Sequence, residues 1–389
     1  MKIASVKGIK LRCPCAEISD ALGTSTARQA FLIKIETDNG LVGIGEAFTY
    51  GAPLDAMQAI LEQQMIPILL GEEASDIERL WQTMYWRTIA SGRRSLTMGV
   101  ISGIDTALWD LLGKASNMPI SKLLGKQFDC IPTYASGGFY APEKTIEDLG
   151  KEIAGYLKKG YRDAKIKIGR TLDRTGAPLQ YMANQRGMVT IEEDWNRIKL
   201  AKSLLGKGKL IVDTNASWSA SKTVQMGPEL LDMGVSVIEE PIPFEDIHGY
   251  QHIKQSIPKL LVAGCETQQG LPYFSHMIES DCLDIVQPDV GWAGGISEVK
   301  KIGNAAQAAG KSISLHCFGS AILFAASLQV ASAMGNTIAM ESEENPNPLK
   351  EKLLKTNFET DHAMNFKVPD DPGLGIELNW DAVDSFVVR

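Results

Sequence analysis

The sequence predicts an α/β chain in which a parallel βα barrel follows a smaller α+β domain. Two observations carry this. From residue 210 onward short apolar runs recur, each leading to a polar residue able to do chemistry. Leu210-Ile211-Val212 leads to Asp213, Val235-Ser236-Val237-Ile238 to Glu239, and Leu260-Leu261-Val262-Ala263 to Glu266. Leu283-Asp284-Ile285-Val286 leads to Asp289, Ser312-Ile313-Ser314-Leu315 to His316, and Ile338-Ala339-Met340 to Glu341. The steps between these residues are 26, 27, 23, 27 and 25, room for one strand, one helix and two turns. Residues 1–125, by contrast, lack the repeat and carry a hairpin signal followed by helical stripes. A carboxylate or imidazole at the end of strand after strand is where a βα barrel puts its active site.

In chain order, Ala30–Thr37 and Leu41–Glu46 flank Asp38-Asn39-Gly40, an Asn-Gly hairpin signal. The stretch Cys13–Thr26 is rich in small residues without clear periodicity and reads as a mobile loop. Helical patterns follow over Leu54–Leu70 and Asp76–Thr88, then an amphipathic helix over Gly103–Lys114. The barrel begins near Ile131–Ala135 and occupies 126–345. Thr145 with Asp148 starts a helix that Gly160 stops, and Thr190 with Glu193 forms a capping box before the Ile191, Trp195, Ile198 and Leu205 stripe. Between them, Ala164-Lys165-Ile166-Lys167 alternates so that both lysines share one strand face. Lys167 lies 46 residues before Asp213, about one repeat with some 20 residues over. The surplus is assigned to Thr171–Met188, which has no helical stripe and reads as an insertion at the mouth of the barrel. With Arg170 at its start, its Arg174, Arg186 and Tyr181 are suited to hydroxyls or a distal carboxylate. The Gly291-Trp292-Ala293-Gly294-Gly295 run lacks phosphate-loop spacing and reads as a tight turn. Residues 346–389 form a tail expected to return to the first domain.

Composition narrows the classes. A chain of 389 residues with 44% hydrophobic content buries a large core. A net charge of −8 argues against nucleic acid as the partner. No apolar run approaches the ~20 residues that span a bilayer, and Met1-Lys2-Ile3-Ala4 opens no signal peptide. No membrane partner, a cytoplasmic location and a homo-oligomer are the expectations. The six dispersed cysteines read as reduced thiols.

Taken singly, a strand-end acid is ordinarily a cap or an ion-pair partner. Three in register are different. Asp213, Glu239 and Glu266 on consecutive strands give hard oxygen ligands with no sulfur or imidazole, a set suited to Mg²⁺. Lys165 is placed to neutralise a substrate carboxylate and to depress the pKa of Lys167, leaving Lys167 a neutral base. Asp289 and His316, one repeat apart, form a dyad in which the carboxylate orients the imidazole. Glu341, next round, is expected to hydrogen-bond the substrate carboxylate in its protonated form.

These residues resemble the enolase superfamily, specifically its mandelate racemase subgroup. The resemblance runs through the Gly103–Lys114 helix, Lys165-Ile166-Lys167, Asp213-Thr214-Asn215, Ile238-Glu239-Glu240-Pro241, Gly264-Cys265-Glu266, Gln287-Pro288-Asp289, His316 and the Pro372–Glu377 tail. It implies a (β/α)₇β modified TIM barrel under an N-terminal α+β capping domain. It also implies Mg²⁺ on Asp213, Glu239 and Glu266, with Lys167 and the Asp289–His316 dyad as the two bases. Lys165, Glu341 and Asn215 would then be substrate contacts. The implied reaction is abstraction of the proton α to a carboxylate through an enediolate. Dehydration of a sugar acid is favoured, with racemisation or epimerisation second and a non-catalytic metabolite-binding protein third. Specificity would reside in Cys13–Thr26, Phe48-Thr49-Tyr50-Gly51, Arg87 and the insertion.

Overall fold

The computed structural model describes residues 1–171 and 188–388. The insertion, apart from its flanking residues Thr171 and Met188, lies outside the described residues; so do Arg174, Tyr181 and Arg186. Eight parallel strands close a barrel: Thr133–Gly137, Ala164–Lys167, Leu210–Asp213, Val235–Glu239, Leu261–Gly264, Ile285–Val286, Ser312–Leu315 and Thr337–Glu343. Pairing of Glu341 with Tyr134 joins the last strand to the first. A helix follows each of the first seven strands, from Ile146–Lys159 through Ala321–Ala331, giving (β/α)₇β. Both capping boxes form, at Thr145 and Thr190, and Gly160 ends the first helix with φ of 108°, a conformation that costs glycine no Cβ clash. Thr171 and Val189 bridge each other, so the chain returns to the rim where the insertion left it.

The N-terminal domain is a three-stranded antiparallel sheet of Ile3–Ser19, Thr24–Thr37 and Val42–Ala47, followed by helices that include Ile77–Gly92 and Leu96–Ala115. Two readings are corrected here. Cys13–Thr26 is not a loop but the end of a long hairpin. A register shift between Pro14 and Ile18 breaks the alternation that would have shown it as strand. The turn is closed by the Asp20 carboxylate, which accepts from the backbone N–H of Leu22 and Gly23 at 2.8 and 2.9 Å. The Gly103–Lys114 segment is part of Leu96–Ala115, and that helix is buried on nearly every side. One side lies so close to the sheet that a Cβ on Gly45 would come within 2.0 Å of the Gly103 carbonyl oxygen. Another side meets the barrel, where Asp105 accepts from the Ser297 N–H and hydroxyl at 2.9 and 2.6 Å.

From the C-terminal segment, the Leu374 N–H donates to Asp110 at 2.8 Å, and Gly373 exchanges backbone bonds with Met118 and Ile120. All six cysteines are free thiols. Among the described residues no helix is long and apolar enough to cross a membrane.

Candidate active site

Strand register decides what gathers at the mouth of the barrel. Lys167 pairs with Asp213 and Asp213 with Glu239, so their side chains point to the same interior. Carboxylate oxygens of Asp213, Glu239 and Glu266 all lie within 4.8 Å of one another, and all three residues are buried. Lys165 Nζ contacts Glu239 and lies 2.9 Å from Glu341 and 3.8 Å from Asp213. Lys167 Nζ donates to Asp213. Asn215 donates its backbone N–H to Asp213 at 2.9 Å, while its own Oδ1 is buried without a partner. Gln287 donates to the second Glu239 oxygen at 2.7 Å.

Across the mouth, Asp289 Oδ2 meets His316 Nδ1 at 2.6 Å, and its other oxygen accepts from the Gly291 N–H at 2.7 Å. The free Nε2 of His316 lies 3.6 Å from both Glu266 and Glu341. Asp213, Glu239, Glu266, Lys165, Lys167, Asn215, Asp289, His316 and Glu341 therefore fall in one cluster. Arg87 does not: it is exposed on the capping domain's helix. Arg170 also departs from its expected use, being buried against the hairpin tip.

Two protonation states differ from expectation. Burial works to lower the pKa of Lys167 and Lys165 adds to that, but Asp213, Glu266 and Asp20 together outweigh them and hold the ammonium above its ordinary range. Burial works to raise Glu341, yet Lys165, His316 and Lys167 hold its carboxyl below the usual carboxylate range. Glu341 thus meets a substrate as a carboxylate paired with Lys165. Burial would lower His316, but Glu266, Glu341 and Asp289 raise it to about 9. Glu239 is pushed up to about 8 by burial and by Asp213, Glu266 and Glu341, against the pull of Lys165.

The cluster therefore carries more negative charge than its two lysines balance. Glu266 Oε2 is buried without a hydrogen bond. An all-oxygen donor set with an orphaned oxygen fits a hard divalent cation, and Mg²⁺ suits these residues.

The rim also stores backbone strain that the sequence did not announce. Tyr50, Asn215, Ala216, Glu240 and Cys265 all have positive φ, between 42° and 80°. Non-glycine residues in this region cost about 1–3 kcal/mol each and cluster at functional sites. Glu240 was missed as a site residue; its buried carboxyl accepts from the Glu266 N–H at 3.2 Å. From the capping domain, Tyr50 donates its hydroxyl to the Glu266 carbonyl at 2.7 Å and stacks on His316 with ring centroids 6.1 Å apart. A cavity of about 530 Å³ lies between the domains, lined by Lys167, Asn215, Glu266, His316, Tyr50 and the hairpin residues Asp20 and 22–29.

An acid/base barrel closed by a second domain is the class this arrangement defines. Residues 5–125 match the family described as mandelate racemase / muconate lactonizing enzyme, N-terminal domain, and residues 148–382 match enolase C-terminal domain-like. The chain belongs to the enolase superfamily, in its mandelate racemase subgroup.

It is 36% identical over 346 residues to an arabinonate dehydratase of Saccharolobus solfataricus, covering 89% of this chain and 87% of that one. It is 30% identical over 370 residues to a D-galactarolactone cycloisomerase of Agrobacterium fabrum, covering 92% and 91%. Among solved structures, a racemase from Streptomyces coelicolor with bound magnesium superposes with a TM-score of 0.87 at 25% identity, over 99% of this chain and 100% of that one. These relatives are enzymes, and the curated ones are named for sugar acids or their lactones.

Proposed function

We propose that the chain is a Mg²⁺-dependent acid-sugar dehydratase, which removes the proton α to a carboxylate and expels a β-hydroxyl as water. One observation carries the reading. Lys167 and His316 face one cavity from the ends of the second and seventh barrel strands, His316 held by Asp289 at the end of the sixth, with the Asp213–Glu239–Glu266 cluster on the strands between. Asp213, Glu239 and Glu266 would hold the ion, which when bound supplies positive charge at the substrate carboxylate and takes up the negative charge of Asp213.

This chain's own residues do the rest. Burial and Lys165 both act to lower Lys167, so Lys167 freed of Asp213 is a base for the α-proton. Lys165, fixed by Glu239 and Glu341, presents positive charge toward the carboxylate end of the substrate. His316, protonated and held at Nδ1 by Asp289, offers its Nε2 proton to the departing β-oxygen. The α C–H and β C–O bonds break, water leaves, and the enol tautomerises to a 2-keto-3-deoxy acid.

The relatives named as cycloisomerases favour a second reading. There the same α-proton is removed, but the group expelled is a ring oxygen that stays attached to the product. Incubating the protein and Mg²⁺ with mono- and diacid sugars, their lactones and anhydro acids separates the two. A 2-keto-3-deoxy acid from an open-chain substrate supports dehydration. Isomer formation from cyclic substrates alone supports the second reading, and no product or α-proton exchange with any acid overturns both.

A further inference from the structure

The segment bearing Lys167 is tied to the capping domain by a buried polar network that the chemistry above does not use. Arg170, three residues past Lys167, is only 1% exposed. Its Nη1 donates to the carbonyls of Asp20 and Gly23 at 2.5 and 3.3 Å, and its Nη2 to the Thr24 hydroxyl at 3.3 Å. Those residues form the hairpin tip and line the cavity. Tyr140, in the loop after the first barrel strand, pairs its backbone with Ser19 of the same hairpin at 2.7 and 2.9 Å.

The Tyr140 hydroxyl donates to Asp194 at 2.5 Å and accepts from the Arg170 N–H at 3.4 Å. The other Asp194 oxygen accepts from the Gly169 N–H at 2.8 Å. Arg197 lies over the Tyr140 ring at 4.3 Å and donates to the carbonyls of Gly138 and, at 3.2 Å, Lys167. One set of charge-assisted bonds thus holds the hairpin tip and the backbone at and just beyond Lys167. In a buried network of this kind, losing one member leaves the others unsatisfied.

We propose that Arg170, acting with Tyr140, is a positioning residue that latches the hairpin over the cavity and couples its closure to the placement of the Lys167 amine. The catalytic part of this rests on Lys167 being a base; the coupling itself does not. The expected behaviour follows from geometry. Releasing Arg170 frees the tip and the Lys167 strand end together, while the His316 side, fastened to a different part of the capping domain, keeps its place.

The test uses the full chain with Mg²⁺ and compares Arg170→Met, Arg170→Lys and Tyr140→Phe with wild type. Amide hydrogen exchange read by mass spectrometry is expected to be roughly tenfold faster in Arg170→Met both at residues 19–24 and at residues 165–169. Arg170→Lys restores part of the protection, and Tyr140→Phe, which removes one hydroxyl, gives a smaller effect in the same two segments. With an acid sugar that turns over, kcat in Arg170→Met is expected to fall about 10- to 100-fold. α-Proton exchange with D₂O through Lys167 falls with it, and exchange through His316 changes little.

Faster amide exchange at the hairpin alone, or spread evenly over the chain, overturns the coupling. So does a folded Arg170→Met enzyme with wild-type kcat and exchange ratio. If wild type exchanges no α-proton with any acid, the base assignment fails, and the amide-exchange pattern still decides the latch.

Discussion

On the lysine flank of the barrel mouth, Lys165 and Lys167 rise into Asp213, Glu239 and Glu341, and charge sets where each ammonium sits. On the histidine flank, His316 is hydrogen-bonded by one carboxylate, Asp289, lies 3.6 Å from two more, Glu266 and Glu341, and is also held by packing. Phe48 and Tyr50 lie against its ring at centroid distances of 5.7 and 6.1 Å. The mountings differ in the same sense. The lysine strand end is held through Arg197, Asp194 and Tyr140, with the hairpin beyond them. The loop after His316 is held by Glu46 of the capping domain, which accepts from the Ser320 N–H at 3.0 Å and from the Leu323 N–H at 3.1 Å. Those N–H groups belong to the start of the helix Ala321–Ala331, where a carboxylate is favoured. The two groups facing one cavity are thus exposed to partly different perturbations: both to changes in charge, and His316 also to changes in packing and in the state of Glu46.

The perturbation with the largest expected effect removes the centre the flanks share. Excess chelator is expected to lower turnover by at least about 10³-fold, and Mg²⁺ to restore it. Glu239→Gln is expected to fold yet show no Mg²⁺-dependent rise in Tm. Undiminished turnover in chelator would remove the metal from the chemistry.

Next come the flanks themselves. Lys167→Ala and His316→Asn are each expected to lose about 10²–10⁴-fold in turnover. His316→Asn should keep Lys167-dependent exchange of the α-proton in D₂O, read by NMR. Wild-type turnover in either variant would mean the bases lie elsewhere.

A smaller effect separates the mountings. Burial pushes Glu46 up to about 7, against its hydrogen bonds from Ser320 and Leu323. The sign follows from the folded pKa lying above the unfolded value of 4.5. Stability tied to the protonated form is fully present below pH 4.5 and is lost as pH rises through 7. Measured by denaturant titration, wild type is expected to lose about 3 kcal/mol relative to Glu46→Gln across that window. A difference between the two proteins that does not change with pH would show that Glu46 is ionised throughout.

The smallest effect is mechanical. Gly45→Ala would drive a Cβ to 2.0 Å from the Gly103 carbonyl and push the strand leading to Glu46 off its helix. A loss of about 1–3 kcal/mol in unfolding free energy is expected. α-Proton exchange through His316 should fall more than exchange through Lys167. Equal losses on both sides would mean the mountings are not separate.

Much of the barrel was legible because its chemistry sits at strand ends and recurs once per βα unit. The spacing from Asp213 to Glu341 put each polar residue at the same rim, and the register aligns Asp213 with Glu239 and Asp289 with His316, while Glu341 sits within its strand opposite Tyr134. The capping hairpin was illegible because a bulge between Pro14 and Ile18 erased the two-residue period. Leu96–Ala115 looked amphipathic because Asp105 and Asp110 punctuate it, yet both acids are buried and bind backbone N–H groups. Charge states were illegible for another reason. Lys165 does lower Lys167 as expected, but only three-dimensional register shows that Asp213 accepts from the Lys167 amine and outweighs Lys165. Arg197 and Asp194 carry no strand-end signal at all, since they sit on the helix Ile191–Leu205 behind the rim.

The helix Leu96–Ala115 bears on how substrate enters. Sheet backbone lies against one side of it, at Gly43 and Gly45. Ser102 and Asp105 bind the barrel loop at Gly294 and Ser297, and Asp110 binds the C-terminal segment at Leu374. Ties along the central axis of the cap at three heights oppose its swinging as a body. Admission to the cavity is then expected to fall to one flap, the hairpin tip that lines it, peeling back. The rest of the vault is expected to stay shut as substrate enters.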